Sequence, residues 1–302
     1  MFDRGGALLD CGEGACGQLT RRFGRDGFAS VLRNLRFVWI SHIHADHHSG
    51  LPSLLRMRES ALVSAAARAS NGDGGGFGKG EGDGGGSEIE PLVVIGPRPL
   101  KRILDMYFRI ERAPIHFVDC ATATAASQGE GPREGFEAGG EGGEGGGGVE
   151  NGRVNGLGSG AREGRGVGAA ALARALSTLR LRSLRSVEVT HSCSHAYGAI
   201  IEGEAGWKLA YSGDTRPCPA LVRASRGATV LIHEATFESA MVDEAEMKRH
   251  STTREAVDAG RECGAFRTVL THFSQRYGEQ PRRARTHACS HPHKHVCTLS
   301  FP

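Results

Sequence analysis

The octet Ser41-His42-Ile43-His44-Ala45-Asp46-His47-His48 places four ligand-type side chains, His42, His44, Asp46 and His47, within six positions. Imidazole and carboxylate are the donors a zinc-like divalent cation takes where no thiolate is offered. The apolar run Val38-Trp39-Ile40 comes immediately before the octet and an amphipathic stretch comes after it. In an extended segment His42 and His44 point to the same side, so both can bind one ion. Asp46 and His47 open the next helix and turn toward a second ion.

Three more donors directly follow apolar runs. His191 comes after Val187-Glu188-Val189-Thr190, Asp214 after Leu209-Ala210-Tyr211-Ser212-Gly213, and His272 after Thr268-Val269-Leu270-Thr271. A side chain at a strand end is held by the sheet yet reaches solvent, and α/β proteins place chemistry there. Together these residues would put His42, His44 and His191 on one cation and Asp46, His47 and His272 on another. Asp214 would be shared between them, with positions left open for water.

The elements that must carry these donors alternate short apolar runs with amphipathic stretches, which predicts a layered α/β fold. Strands are expected at Ala7–Cys11, Phe37–Ser41, Leu92–Ile95, Ile115–Val118, Ser186–Thr190, Ala199–Glu202, Lys208–Ser212, Thr229–His233 and Thr268–Thr271. Helices are expected at Cys16–Phe23, His47–Arg58, Pro99–Arg109, Pro219–Arg226 and Glu244–Cys263.

Most of the 45 glycines in the 302 residues fall in two segments, about 71–87 and about 128–168. Such stretches bury too little apolar surface to offset the entropy of ordering, so both read as disordered insertions within one domain. The formal net charge of +3 does not by itself indicate nucleic acid. Eight cysteines without a CxxC pair suit buried free thiols in a reducing compartment. No apolar run approaches the ~20 residues of a membrane span, and no targeting segment is expected at Met1–Asp10.

At these residues the chain resembles tRNase Z, in particular the catalytic half of the eukaryotic long form. Leu8–Leu19 (LLDCGEGACGQL), Ser41–Leu51 (SHIHADHHSGL) and Ile95–Pro97 match its motifs in order. So do Tyr211–Val222 (YSGDTRPCPALV), His233–Thr236 (HEAT), His250–Thr252 (HST) and His272–Tyr277 (HFSQRY). The His-x-His-x-Asp-His motif alone marks the whole metallo-β-lactamase superfamily, whereas HEAT, HST and HFSQRY together are specific to tRNase Z.

The resemblance implies an α/β metallo-β-lactamase αββα sandwich over residues 1–277 and two Zn²⁺ ions, with Mn²⁺ or Mg²⁺ able to substitute. It implies removal of the 3′ trailer from precursor tRNA by phosphodiester hydrolysis. Asp46 would be a ligand and proton acceptor, His250 the acid for the leaving 3′-oxygen, and Glu234 the residue that orients it. His233, Ser251, Thr252 and Arg276 would contact the substrate, with Ser251 and Thr252 capping a helix whose N–H groups face a phosphate. A nuclear or mitochondrial location follows from the family. Three features depart from its pattern. The strand pair and substrate loop before the first motif are expected to be missing, as is the usual C-terminal end, leaving 278–302 as an unassigned tail. In His191-Ser192-Cys193-Ser194-His195 the spacing to Ala196-Tyr197-Gly198 is one residue longer than the family's, which makes His195 a competitor to His191. An N-terminal half or a second copy would supply the tRNA-gripping arm. Two other readings stay open: a different hydrolase of the superfamily, and an inactive fragment that acts through partner binding.

Overall fold

Leu35–Trp39 and Leu92–Gly96 are apolar along their whole length, a pattern that suits parallel strands covered on both faces. The computed structural model describes residues 5–71, 89–110, 113–122, 160–274 and 295–298. It pairs β1 (Gly6–Leu9), β2 (Leu35–Trp39), β3 (Leu92–Gly96) and β4 (Ile115–Asp119) as one parallel sheet in that order. A second sheet runs β10-β9-β8-β7-β6-β5, built from β5 (Leu181–Glu188), β6 (Tyr197–Gly203), β7 (Lys208–Tyr211), β8 (Val230–Glu234), β9 (Arg267–Thr271) and β10 (His295–Thr298). Its β5-β6-β7 part is antiparallel and its β7 to β10 part parallel.

Side chains alternate across β2 and so fill two different cores. Phe37 and Trp39 point between the sheets, where they meet Leu184, Tyr197, Ala199 and Ile201. Val38 and Ile40 point the other way, against α1 (Ala15–Arg33), α3 (Leu51–Asn71) and α4 (Arg98–Phe108). The second sheet buries Ile200, Ala210 and Leu231 on its own outer face, with Leu221 of α6 (Pro219–Ala224) and the segment around Cys263. The layers are therefore helix, sheet, sheet, helix, the metallo-β-lactamase arrangement. All nine expected strands are present, within a few residues of their expected bounds.

The helices differ more. A helix α5 (Gly160–Thr178) was not anticipated, and it begins inside the 128–168 segment read as an insertion. Its last turns carry Ala171, Leu172, Ala175 and Leu176 into the inter-sheet core, so the ordered domain resumes earlier than the glycines suggested. The other insertion, 71–87, lies outside the described residues apart from Asn71, which ends α3. The single helix expected at His47–Arg58 is two, α2 (Ala45–His48) and α3, parted at Gly50. A Cβ on Gly50 would run into the backbone carbonyl of Gly12, so this turn holds the metal motif tightly against the first motif. Glu244–Cys263 likewise divides, into α7 (Val242–Lys248) and α8 (Thr253–Glu262), and His250 sits in the break. The tail left unassigned contributes β10, paired in parallel with β9. Among the described residues no helix is long and apolar enough to cross a membrane.

Candidate metal centre

The predicted donors stand at the same end of the two sheets because the strands before them run the same way. His42 to His47 follow β2, His191 follows β5, Asp214 follows β7 and His272 follows β9, and Asp10, not among the predicted donors, follows β1. Gly213 makes the turn that presents Asp214. Its φ is 58°, and a Cβ there would come 2.7 Å from Tyr197 O and 2.9 Å from Ser41 Cβ.

Four imidazoles aim Nε2 at one carboxylate oxygen. Asp214 Oδ2 lies 3.2 Å from His47 Nε2, 3.5 Å from His272 Nε2, 3.7 Å from His42 Nε2 and 3.9 Å from His191 Nε2. His44 joins through Nδ1, which is 3.0 Å from His42 Nε2 and 3.2 Å from His191 Nε2. Asp46 Oδ2 lies 3.6 Å from His47 Nε2 and 3.5 Å from His272 Nε2. All seven residues named from the sequence as ligands thus meet in one cluster. His195, the competitor to His191, is exposed and belongs to none of the donor groups formed among the described residues.

The outer nitrogens of these rings are engaged. His191 Nδ1 donates to the Arg249 carbonyl at 2.9 Å, and His47 Nδ1 donates to Asp10 Oδ2 at 2.8 Å. A backbone carbonyl can only accept, so neutral His191 is left with an Nε2 lone pair turned inward, and His47 presents its Nε2 the same way once it gives up the proton held there. His272 Nδ1 meets Thr236 Oγ1 at 2.8 Å and His42 Nδ1 meets Ser41 Oγ at 2.9 Å. His47 Nε2 is buried and has no hydrogen-bond partner. Nitrogen and oxygen donors 3–4 Å apart, with lone pairs converging, are spaced as ligands about 2.1 Å from a common cation would be. A divalent cation therefore fits this donor set.

Protons show the same tension. Burial, with the neighbouring imidazoles, holds His42 neutral down to about 2. Burial also opposes charge on His47, but the Asp10 and Asp214 carboxylates outweigh it and raise that ring to about 11. Asp214 is driven below the carboxylate range by His272, His47 and His42 although burial opposes this. Asp46 is held low chiefly by His272. Without a cation the cluster must keep protons on some rings to offset its carboxylates, and a bound cation takes their place.

Beside the cluster, His250 Nδ1 lies 2.9 Å from Glu234 Oε1. Glu234 is 1% exposed, and its two oxygens also accept from Thr215 N, Thr236 N and Thr236 Oγ1. The residues named as substrate contacts do not share this position. His233 is buried, its Nδ1 bonded to the Glu234 carbonyl at 2.7 Å. Ser251 is fully buried and donates to Thr215 O. Thr252 caps α8 as expected, but it is 1% exposed and its own N–H donates to Glu255 Oε2 at 2.8 Å. Burial and these internal bonds tie all three into the frame of the site. Arg276 lies outside the described residues.

Asp10 was missed as a site residue. Its carboxylate accepts from Ser41 N at 2.7 Å, Ser41 Oγ at 2.9 Å, His47 Nδ1 at 2.8 Å and Tyr211 Oη at 2.6 Å. The signal was available: Asp10 follows an apolar run as Asp214 does. Asp10 and His272 also share a positive φ, 59° and 61°, a conformation few non-glycine residues keep and one that clusters at functional sites. Cys193 was overlooked too, and its sulfur lies beside the donors of His42, His44 and His191.

The beta-lactamase superfamily domain model matches residues 171–273. A mitochondrial tRNase Z of Arabidopsis thaliana is 42% identical, over 93% of this chain and 30% of its own length. The zinc phosphodiesterase ELAC protein 2 of Homo sapiens is 34% identical, over 98% of this chain and 30% of its own. The chain belongs to the metallo-β-lactamase superfamily as a homologue of tRNase Z. It spans just under a third of the length of these two relatives. Among solved structures, a long-form RNase Z from yeast shares the fold with a TM-score of 0.67 at 21% identity, covering 97% of this chain and 35% of that one. The human short-form tRNase Z does so with a TM-score of 0.58 at 18% identity, covering 99% of this chain and 87% of that one.

Proposed function

We propose that this chain carries the hydrolytic centre of a tRNase Z that removes the 3′ trailer from precursor tRNA. The observation that carries the reading is the convergence of four imidazole Nε2 atoms on Asp214 Oδ2, beside the His250–Glu234 pair, in a tRNase Z homologue.

His42, His44 and His191 would hold one cation, and Asp46, His47 and His272 a second, with Asp214 between them. Zinc suits the imidazole-rich set, and Mn²⁺ or Mg²⁺ are substitutes. When bound, such cations supply Lewis-acid stabilisation and a water acidified toward neutrality. Asp46 stays ionised through its contact with His272 and is placed to accept the proton that water gives up. Glu234 holds His250 by Nδ1, which leaves Nε2 to protonate the departing ribose 3′-oxygen. The products are a tRNA ending in a 3′-hydroxyl and a trailer with a 5′-phosphate.

In the relatives the residues outside the matched third would provide the grip on tRNA, and the same grip, from a tRNA-binding half, would be needed here. Such phosphate contacts supply much of the affinity for nucleic acid. The Arabidopsis relative is mitochondrial, which supports a mitochondrial site of action, with the nucleus as the alternative. The test is cleavage of a 5′-labelled precursor tRNA with end-mapped products, run beside bis(p-nitrophenyl) phosphate, with chelator and with metal restored. Metal-dependent cleavage at the tRNA–trailer junction is expected. Hydrolysis of the small diester alone, with the partner half supplied, would transfer the chain to another branch of the superfamily.

A further inference from the structure

At the end of the parallel sheet away from the metal centre, the first residues of β2, β3 and β4 leave a cavity of about 40 Å³ against α3 and α5. Arg36, Arg58, Glu90, His116, Arg174 and Thr178 supply its polar lining. Three guanidinium groups and an imidazole face a single carboxylate. Glu90 does not neutralise them, because its side chain is 70% exposed and reaches Arg36 at only 3.5 Å. Arg58 Nη1 is bonded at 3.0 Å to the backbone carbonyl of Glu90, not to its carboxylate.

Arg58 decides the matter. It is 4% exposed, and its Nε is buried without a hydrogen-bond partner, as is Nε of Arg36. A buried cation with an unmet donor is costly, and removing it from water is repaid only by good counter-charge. Burial also pulls Arg58 below its ordinary value. Water filling the cavity would satisfy an N–H but leave the charge uncompensated.

We propose that this cavity binds a tetrahedral oxyanion of the phosphate class, either free or as the terminal group of a phosphomonoester. One water needs roughly 10–15 Å³ of such space, so the cavity admits a compact anionic head and not a sugar or base. Guanidinium forks suit that head, since each can give two parallel N–H bonds. The last turn of α5 borders the cavity, and its carbonyl ends disfavour negative charge, but by about half a charge against three guanidinium cations. The site is independent of the hydrolytic reading, which it neither needs nor tests.

The test uses metal-loaded protein, since the metal centre can also take up phosphate. Thermal midpoints with and without inorganic phosphate would be compared for the wild type, Arg58→Met and Arg174→Gln, with metal content checked in each. A parallel arm uses a nucleoside 5′-monophosphate to tell a phosphomonoester from the free ion. Phosphate should raise the wild-type midpoint, and Arg58→Met should lose that increment. Without phosphate, Arg58→Met should sit at or above the wild type, because an unpaired buried charge is gone. Arg174 is exposed, so Arg174→Gln should fold normally and bind phosphate severalfold more weakly, which decides the question even if Arg58→Met does not fold. An equal increment in all three proteins would place the anion at the metal centre alone and overturn the proposal, as would no increment in the wild type.

Discussion

Asp10 Oδ2 and His47 Nδ1 are 2.8 Å apart, although the two residues follow different strands, β1 and β2. The pair fixes which nitrogen of His47 faces Asp214 and raises the basicity of that nitrogen. Asp10→Asn should keep the shape but weaken metal binding about 10–100-fold. Competition with a calibrated chelator reads this directly, and unchanged affinity would reduce Asp10 to a packing role.

Metal binding should strengthen as pH rises. His47 in the metal-free site is raised to about 11, so near neutrality it holds a proton that the cation must displace. His272 is raised as well; burial opposes this, but Asp214 and Asp46 outweigh it. Calorimetry in buffers of different ionisation heats should show net proton release on metal addition between about pH 6 and pH 9. Binding with no proton release would mean that both rings are already neutral.

The metal cluster was legible because its residue types are costly to gather by chance and its spacing matches strand ends. Its support was not. Asp10 shares with Asp214 its place after an apolar run, but that signal alone does not separate it from other strand-terminal carboxylates, and only the fold brings Ser41, His47 and Tyr211 to it. His233 misled for a related reason: the HEAT motif shows that the residue matters, but not that β8 turns it into the core while Glu234 reaches the site. Helix α5 was hidden because its start is rich in glycine and only its last turns are apolar. The break that frees His250 was only half visible: 244–263 reads as one amphipathic stretch, while Ser251 and Thr252 read as caps of a helix that starts after them.

His233 should make the metal-free protein acid-sensitive. Burial lowers its pKa, so the folded protein keeps it neutral while the unfolded chain protonates it below about 6.5. Its contribution is fully present above that value and is lost as pH falls, by up to about 1.4 kcal/mol per unit. In chelator, the stability of His233→Gln should fall less steeply than wild type between about pH 6.5 and 5. Parallel slopes would place the acid sensitivity in other groups.

Arg216 holds the segment that carries His250. Its Nη1 donates to the His250 carbonyl at 2.7 Å, and both Nη atoms clamp Glu255, at 2.9 and 2.7 Å. Lysine cannot reproduce that fork, so Arg216→Lys should lower kcat about ten- to a hundredfold through misplacement of the imidazole. KM and metal content should change little. Loss of metal instead would show that Arg216 supports the whole cluster.

Asp214 and His250 separate holding the cations from moving a proton. Asp214 is 3% exposed and touches four imidazoles, so Asp214→Ala removes the counter-charge that lets those rings converge. Buried nitrogens would be left facing one another with neither carboxylate nor cation between them. Asp214→Ala should therefore lose bound metal and, with it, activity on every substrate. His250 reaches the same oxygen at 3.9 Å with Nδ1, the nitrogen that Glu234 holds at 2.9 Å, and not with Nε2 as the other four rings do. His250→Ala should keep its metal and lose about 10²–10⁴ in kcat on an RNA whose leaving oxygen needs a proton. On bis(p-nitrophenyl) phosphate, whose leaving group departs as a stable anion, His250→Ala should lose much less. The ratio of the two losses isolates proton donation from damage to the site. Equal losses on both substrates, with metal retained, would remove His250 from the role of acid.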